Sequence, residues 1–376
     1  MLNLTYEEQL AWKERRVKRL LGEYCPAAPI IAMETPCHYR CKVQAAFGYD
    51  RKKHCVISGV YQSSTHGIVP VDSCAIEDET ADRIIVSIRK LLPSFKIKIY
   101  DERSGAGWLR HVLVRRGFAT GEVMVVLVAV SPVFPAQKHF AAKLLELHPE
   151  ITTILLNVND TDTPLFLGSR EKVLYGPGYI EDRLCGCTFR ISARSFYQVN
   201  PLQTEVLYST AIKMAALQGD EVVLDAYCGV GTIGLIASRS AANVLGVEIS
   251  RDAIHDAITN AKLNHITNAW FTAADAGEYM TALANEGRHI DVVFMDPPRA
   301  GSNPRFLRAL MKLQPNRIVY ISCNPETLAR DLKTLCEGGY KAELAQPVDM
   351  FPHSTHIEAV VSLRRAGKDK PRRSGR

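Results

Sequence analysis

No apolar run in this 376-residue chain approaches the roughly 18 residues of a membrane helix, which excludes a helical span. Residues 6–19 are dense in charge and hold no apolar core, so no export signal is read there, and a cytoplasmic protein is expected. No C-x-x-C pair occurs among the ten cysteines, so the common zinc patterns fail and no metal is expected. Without an export signal disulfides are not expected, and most of the thiols are read as small buried hydrophobes. There is no internal repeat and no low-complexity segment. Nor is there charge imbalance along most of the chain. The net charge is +6, but Arg364 to Arg376 holds seven Lys/Arg and one acid, which accounts for all of it. Overall basicity is therefore no sign of a nucleic-acid partner. The tail itself reads equally as an electrostatic hold on an RNA backbone or as a solvated end.

The length suits two domains. The spacing of Leu10, Trp12, Val17, Leu20 and Leu21 predicts an amphipathic helix over 5–22. Strand-like runs follow within 29–76, at 108–117, 123–131 and 151–160, and as a pair near 172–192, with helices over 77–94 and 136–147. This is the pattern of an α+β domain rich in antiparallel strands. From about 200 the rhythm changes to short apolar strands alternating with helices: 221–226, 243–250, 289–298 and 316–323, with a helix from Asp252 to Asn264 capped by Ser250. That alternation predicts an α/β, doubly wound parallel sheet. The expected division is 1–190, 191–365 and a basic tail over 366–376.

The first parallel strand ends in Asp225-Ala-Tyr-Cys-Gly-Val-Gly-Thr-Ile-Gly234. Its glycines permit a sharp turn and close approach of a ligand to the backbone. Asp225 would repel a diphosphate, Glu248 ends the second strand where a carboxylate can accept ribose hydroxyls, and Asp275 can accept from an adenine amino group. These features resemble the class I S-adenosylmethionine methyltransferases, whose Rossmann-like sheet has a reversed last strand. A nicotinamide-binding domain or a plain glycine turn remain open from the loop alone.

Two further strands are halted by proline at the same edge: Asp296-Pro-Pro-Arg299 and Ser322-Cys323-Asn-Pro325. Asp-Pro-Pro followed by an aromatic marks amino-group methyltransferases, but here Arg299 stands in the fourth place. Near the end come Asp349, His353, His356 and Glu358, leading into an apolar strand. If that strand is the reversed one, Glu358 arrives beside Cys323 and Asp296. A cysteine beside a methyl donor suits carbon 5 of uracil, a poor nucleophile until a thiolate adds to carbon 6. A base must then remove the carbon 5 proton. Packing around the loop accounts for His353 and His356 as well as catalysis does.

At this point the blocks SFYQVNP (195–201), DAYCGVGTIGL (225–235), GVEIS (246–250), FMDPPRAG (294–301), SCNPETLARDL (322–332) and HSTHIE (353–358) resemble the RNA uracil-5 methyltransferases of 23S ribosomal RNA and of the transfer-RNA T-loop. The resemblance implies S-adenosyl-L-methionine as cofactor, lined by Gln198, Tyr227, Thr232, Glu248, Asp275 and Asp296. It implies Cys323 as nucleophile and Glu358 as base, with 23S ribosomal RNA placed first and the T-loop as alternative; a monomer is expected. The first half resembles the family's RNA-contacting domain, with Arg40, Lys42, Arg110, His111, Arg115 and Arg116 as candidate contacts. Many ribosomal members carry an upstream barrel and a four-cysteine iron–sulfur site. Only Cys74 resembles a cluster ligand, so neither barrel nor cluster is expected. Rival readings are an amine or cytosine methyltransferase and an RNA-binding or folding factor with a vestigial site.

Overall fold

Thr5 starts the first helix. Its hydroxyl accepts from the Glu8 amide and the Glu8 carboxylate accepts from the Thr5 amide, a reciprocal cap that satisfies two otherwise orphaned donors. The helix, α1, runs Tyr6–Leu21. The computed structural model describes residues 1–367 apart from 2, 51, 63, 64, 66, 103, 135 and 162–164. The basic tail beyond Gly367 lies outside the described residues.

The chain divides into two compact units. One comprises Pro36–Leu184 and Thr188–Pro201. Its elements are β1 (Lys42–Asp50), β2 (Cys55–Tyr61), β3 (Ile68–Pro70), α2 (Glu79–Leu91), β4 (Leu109–Arg116), β5 (Val123–Ala129), α3 (Gln137–Leu147), β6 (Ile151–Val158), β7 (Arg170–Tyr175) and a hairpin of β8 (Ile180–Leu184) and β9 (Cys187–Ile191). The sheet order is β3-β2-β1-β4-β5-β6-β7. Its pairings are antiparallel except β5 with β6, which α3 joins as a crossover. Every residue of β5 is buried, and α2 and α3 bury Ile84, Ile88, Phe140 and Leu144 in the same core. The expected α+β character holds.

The other unit comprises Met1–Thr35, Cys185–Cys187 and the chain from Leu202 onward. It contains α4 (Pro201–Ala215), β10 (Val222–Ala226), α5 (Thr232–Ala237), β11 (Asn243–Glu248), α6 (Arg251–Leu263), β12 (Ala269–Ala273), α7 (Ala276–Asn285), β13 (Val292–Met295), α8 (Pro304–Leu313), β14 (Arg317–Ser322), α9 (Pro325–Glu337), β15 (Tyr340–Val348) and β16 (Glu358–Arg365). The order is β12-β11-β10-β13-β14-β16-β15. The first five strands are parallel, and β16 is antiparallel to both neighbours. This is the doubly wound sheet with a reversed last strand. Ser250 caps α6 by accepting from the Ala253 amide, as its position predicts.

One expectation needs correction. Residues 1–35 do not belong with the first half of the chain. Helix α1 packs on α9 and β15, and Val17, Leu21 and Cys25 enter the core of the parallel sheet. Residues 27 and 31 bridge to β15 and the residue at its end, Val348. The sequence pattern shows that α1 is amphipathic but not which apolar face it meets. The cysteines also differ from expectation: all ten are free, but only Cys25, Cys41, Cys187 and Cys228 are buried.

Candidate active site

Parallel strands end together, so loops that follow them share one edge of the sheet. At the end of β10, Asp225 is buried and accepts from the Gly234 amide at 2.7 Å, which pins the turn to the start of α5. Gly231 caps that helix at φ 83°, a left-handed conformation that disfavours any side chain. A Cβ there would lie 3.0 Å from the Phe271 ring, and one at Gly246 would lie 2.3 Å from it. At Gly229 a Cβ would meet nothing within 4 Å, so the turn faces open space. Thr232 opens α5 directly behind the turn. Glu248 ends β11 with one carboxylate oxygen on the Ser250 amide at 3.0 Å. Asp275 caps α7. Tyr227, at φ 65°, stacks on Phe306 with ring centroids 4.9 Å apart.

The electrostatics of this end suit a cation. Burial pushes Asp225 up to about 7, with Asp296 and Glu248 adding to the rise. A diphosphate would meet four acids here. A sulfonium would relieve their crowding, and the open face of Gly229 leaves the backbone accessible. Asp225, Tyr227, Thr232, Glu248, Asp275 and Asp296 all lie on this unit and fit such a group. Gln198 lies on the other unit, where its carbonyl faces the Cys41 thiol at 3.7 Å.

At the next two strand ends stand Asp296 and Cys323. Asp296 keeps part of its surface open, yet burial among surrounding atoms pushes it up to about 7. Strand β14 pairs with β16 in the register Ser322↔Ala359, so the next residues outward are Cys323 and Glu358. Glu358 is buried, and burial together with Asp296 holds its carboxyl well above the ordinary range. The Cys323 thiol is pushed up to about 11, first by burial and then by Glu358 and Asp296. No hydrogen bond from the described residues reaches either carboxylate. Both therefore keep their acceptor capacity for a ligand.

The loop after Asp296 is tied down on its far side. The Arg299 carbonyl accepts from Asn324 Nδ2 at 3.2 Å and Thr327 Oγ1 at 3.3 Å. Arg330 donates to the Ala300 and Ser302 carbonyls. Arg299 Nη2 lies 3.2 Å from His356 Nδ1, which joins this loop to the one that carries Glu358. His353 instead meets α1: its amide donates to Gln9 Oε1 at 3.0 Å. Sequence reasoning missed Gln9, Lys13 and the buried role of Asp349. The signal was present as polar residues on the four-residue stripe Gln9, Lys13, Val17, Leu21, all of which are buried.

On the other unit, four of the six candidate RNA contacts have internal duties. Arg115 is fully buried and donates to the Ser192 and Ser195 carbonyls. Arg116 pairs with Asp78 at 2.8 Å. Arg110 donates to the Asn159 and Thr161 carbonyls and lies over the Tyr100 ring. His111 is buried against Tyr61 and Phe166, and burial lowers it to about 4. Arg40 and Lys42 remain partly open.

A family model described as tRNA (uracil-5-)-methyltransferase matches residues 5–366. The chain belongs to that family. This methyltransferase is 44% identical over 371 residues to an uncharacterized RNA methyltransferase of Enterococcus faecalis, covering 97% of this chain and 80% of the relative. It is 41% identical over 367 residues to another of Oceanobacillus iheyensis, covering 96% and 80%. Among solved structures it is similar to the Pyrococcus abyssi tRNA (uracil-54, C5)-methyltransferase in complex with S-adenosyl-L-homocysteine: TM-score 0.80, 29% identity, 96% of this chain and 84% of that one. The enzyme is an RNA methyltransferase, and its cofactor is S-adenosyl-L-methionine. Among the described residues no helix is long and apolar enough to cross a membrane.

Proposed function

We propose that this methyltransferase, acting as a monomer, methylates carbon 5 of a uridine in structured RNA through a covalent bond between Cys323 and carbon 6. The observation that carries the reading is the β14–β16 register, which sets Cys323 and Glu358 side by side at one strand edge beside Asp296. An amine methyltransferase needs neither a thiol nor a second base there.

The thiol is protonated in the free enzyme, since its pKa is pushed up to about 11. Entry of the base must therefore be accompanied by loss of the sulfur proton, which Asp296 takes, leaving Glu358 as a carboxylate for the later step. The sulfur bonds to carbon 6, and the ring electrons move to the oxygen on carbon 4. When bound, S-adenosyl-L-methionine would supply an electrophilic methyl on a cationic sulfur, which carbon 5 would take as the methyl–sulfur bond breaks and a neutral thioether leaves. Glu358, as carboxylate, then takes the carbon 5 proton, and the returning electrons expel the Cys323 sulfur as thiolate. Asp296 holds the uracil edge or the methyl donor. Tyr227, Thr232, Glu248 and Asp275 hold the nucleoside cofactor. The other unit supplies RNA contact, with the half-buried Arg40 and Lys42 as its candidate cations; burial, then Arg115 and Arg40, push Lys42 down to about 8. A base in a helical stack must be extruded before this chemistry begins.

Ribosomal RNA of the 23S type is the first substrate to test. The transfer-RNA T-loop is the second, favoured by the family description and by the substrate of the Pyrococcus abyssi protein. Nucleoside mass spectrometry of both RNAs, from cells with and without the gene, decides between them. Loss of 5-methyluridine from one names the substrate. Unchanged 5-methyluridine in both, with no homologous enzyme covering the site, sinks the proposal.

A further inference from the structure

The buried stripe of α1 is half polar. Gln9, Lys13, Val17 and Leu21 follow at four-residue steps, and Lys13 has no exposed surface. A helix that only needed to pack would bury apolar side chains there, because an ammonium is expensive to take out of water. Burial lowers the Lys13 pKa and Asp349 opposes the fall. Lys13 Nζ lies 2.6 Å from Asp349 Oδ1, with both side chains at 0% exposure, and 3.0 Å from the Phe351 carbonyl. Tyr6 donates to the other Asp349 oxygen at 2.9 Å. Gln9 accepts from the His353 amide and faces its ring nitrogen at 3.3 Å. From the far side, Gln203 donates to the Asp349 carbonyl and the Asp349 amide donates to the Ile31 carbonyl.

These contacts converge on one segment. Residues 349–357 connect β15 to β16, and the pair Val348↔Glu358 closes the connection. Helix α1 thus grips the connection at 349, 351 and 353, every second residue. The same connection brings His356 to Arg299 and ends on Glu358. Neutral groups could fill the space. A charged pair with a second ligand on each partner also fixes distance and direction, which a base that must meet one proton requires.

We propose that Lys13 and Asp349 are positioning residues for Glu358, setting the connection so that its carboxylate reaches the carbon 5 proton after methyl transfer. This rests on the covalent reading above. The test uses the full chain and measures three quantities: turnover on substrate RNA, the yield of denaturation-resistant protein–RNA adduct, and S-adenosylmethionine binding by calorimetry. Glu358→Gln is the reference, since loss of the base should strand the methylated adduct. In Lys13→Met, turnover should fall roughly 10- to 100-fold, within the usual span of a base's contribution. Adduct per cofactor-binding site should rise toward the Glu358→Gln level, and the cofactor Kd should stay within about threefold of wild type.

A merely structural role gives a different pattern: turnover, adduct and binding sites fall together, and that result overturns the proposal. A double variant, Lys13→Met with Asp349→Leu, covers the case in which the single variant fails to fold. Replacing both charges by apolar groups is expected to restore the fold. Raised adduct in that folded protein supports positioning, whereas wild-type turnover rejects it. Absence of adduct in Glu358→Gln speaks against the covalent reading itself, whatever Lys13 does.

Discussion

The two seven-stranded sheets treat charged residues in opposite ways. In the sheet around β10, parallel strands finish at one edge, and Asp225, Glu248, Asp296 and Cys323 stand there together. In the sheet around β5, neighbouring strands mostly run antiparallel, and the cations of β4 bond within the unit. Arg115 is wholly buried on two carbonyls, and Arg116 is paired with Asp78. A charged residue in sequence therefore announces function only when topology delivers it to an edge. The same residue type within an antiparallel strand is as readily a structural bolt.

The comparison breaks most visibly at Cys323. Cys323→Ala should lower methyl transfer by about 10⁴-fold or more and leave stability and cofactor binding near wild type; single-turnover kinetics and calorimetry measure both, and activity within tenfold of wild type removes the thiol from the chemistry. Glu358→Gln should cost about 10²- to 10⁴-fold in turnover. It should also flatten the pH profile. In the wild type burial and Asp296 raise the Glu358 pKa, so the base stays protonated beyond the usual carboxylate range and turnover should climb as pH rises above that range.

Arg115→Met should show the reverse signature. It strands the Ser192 and Ser195 carbonyls and should destabilise its unit by about 2–5 kcal/mol, measured by denaturant melting. The slope of RNA affinity against salt should not change. Lys42→Ala should do the opposite: it should leave the melt unchanged and reduce that slope by roughly one. If the two variants exchange these signatures, the division between bolts and contacts is wrong.

The smallest effect concerns Asp225. Its folded pKa, about 7, lies above the ordinary 3.8, chiefly through burial. The folded state therefore binds the extra proton between those values, and stability falls as pH rises through that window. Cofactor-free protein should melt lower at pH 7.5 than at pH 5.5, and Asp225→Asn should narrow the gap.

Much of the parallel sheet was legible because its central strands are short apolar runs followed by glycine, proline or a helix cap. β10, β11, β13 and β14 all fall within a few residues of the expected spans. The strands that escaped notice, β12 and β15, are the two edges. β12 leaves Trp270 half exposed, and β15 carries Lys341, Glu343 and Gln346, so neither shows a buried run. The residues proposed for the chemistry stand at strand ends, which the sequence marks. It does not mark those proposed to hold the strand ends: Lys13 and Asp349 are 336 positions apart, and no local pattern links them.

That separation has a consequence for synthesis. At ~5–20 residues per second the ribosome needs on the order of 20–70 s to deliver the partner of Lys13. Throughout that interval the segment that becomes α1 has neither α9 nor β15 to cover its stripe. Gln9 and Lys13 keep half of the stripe compatible with water while it waits. The parallel sheet therefore closes over α1 only once the segment carrying Asp349 has been made.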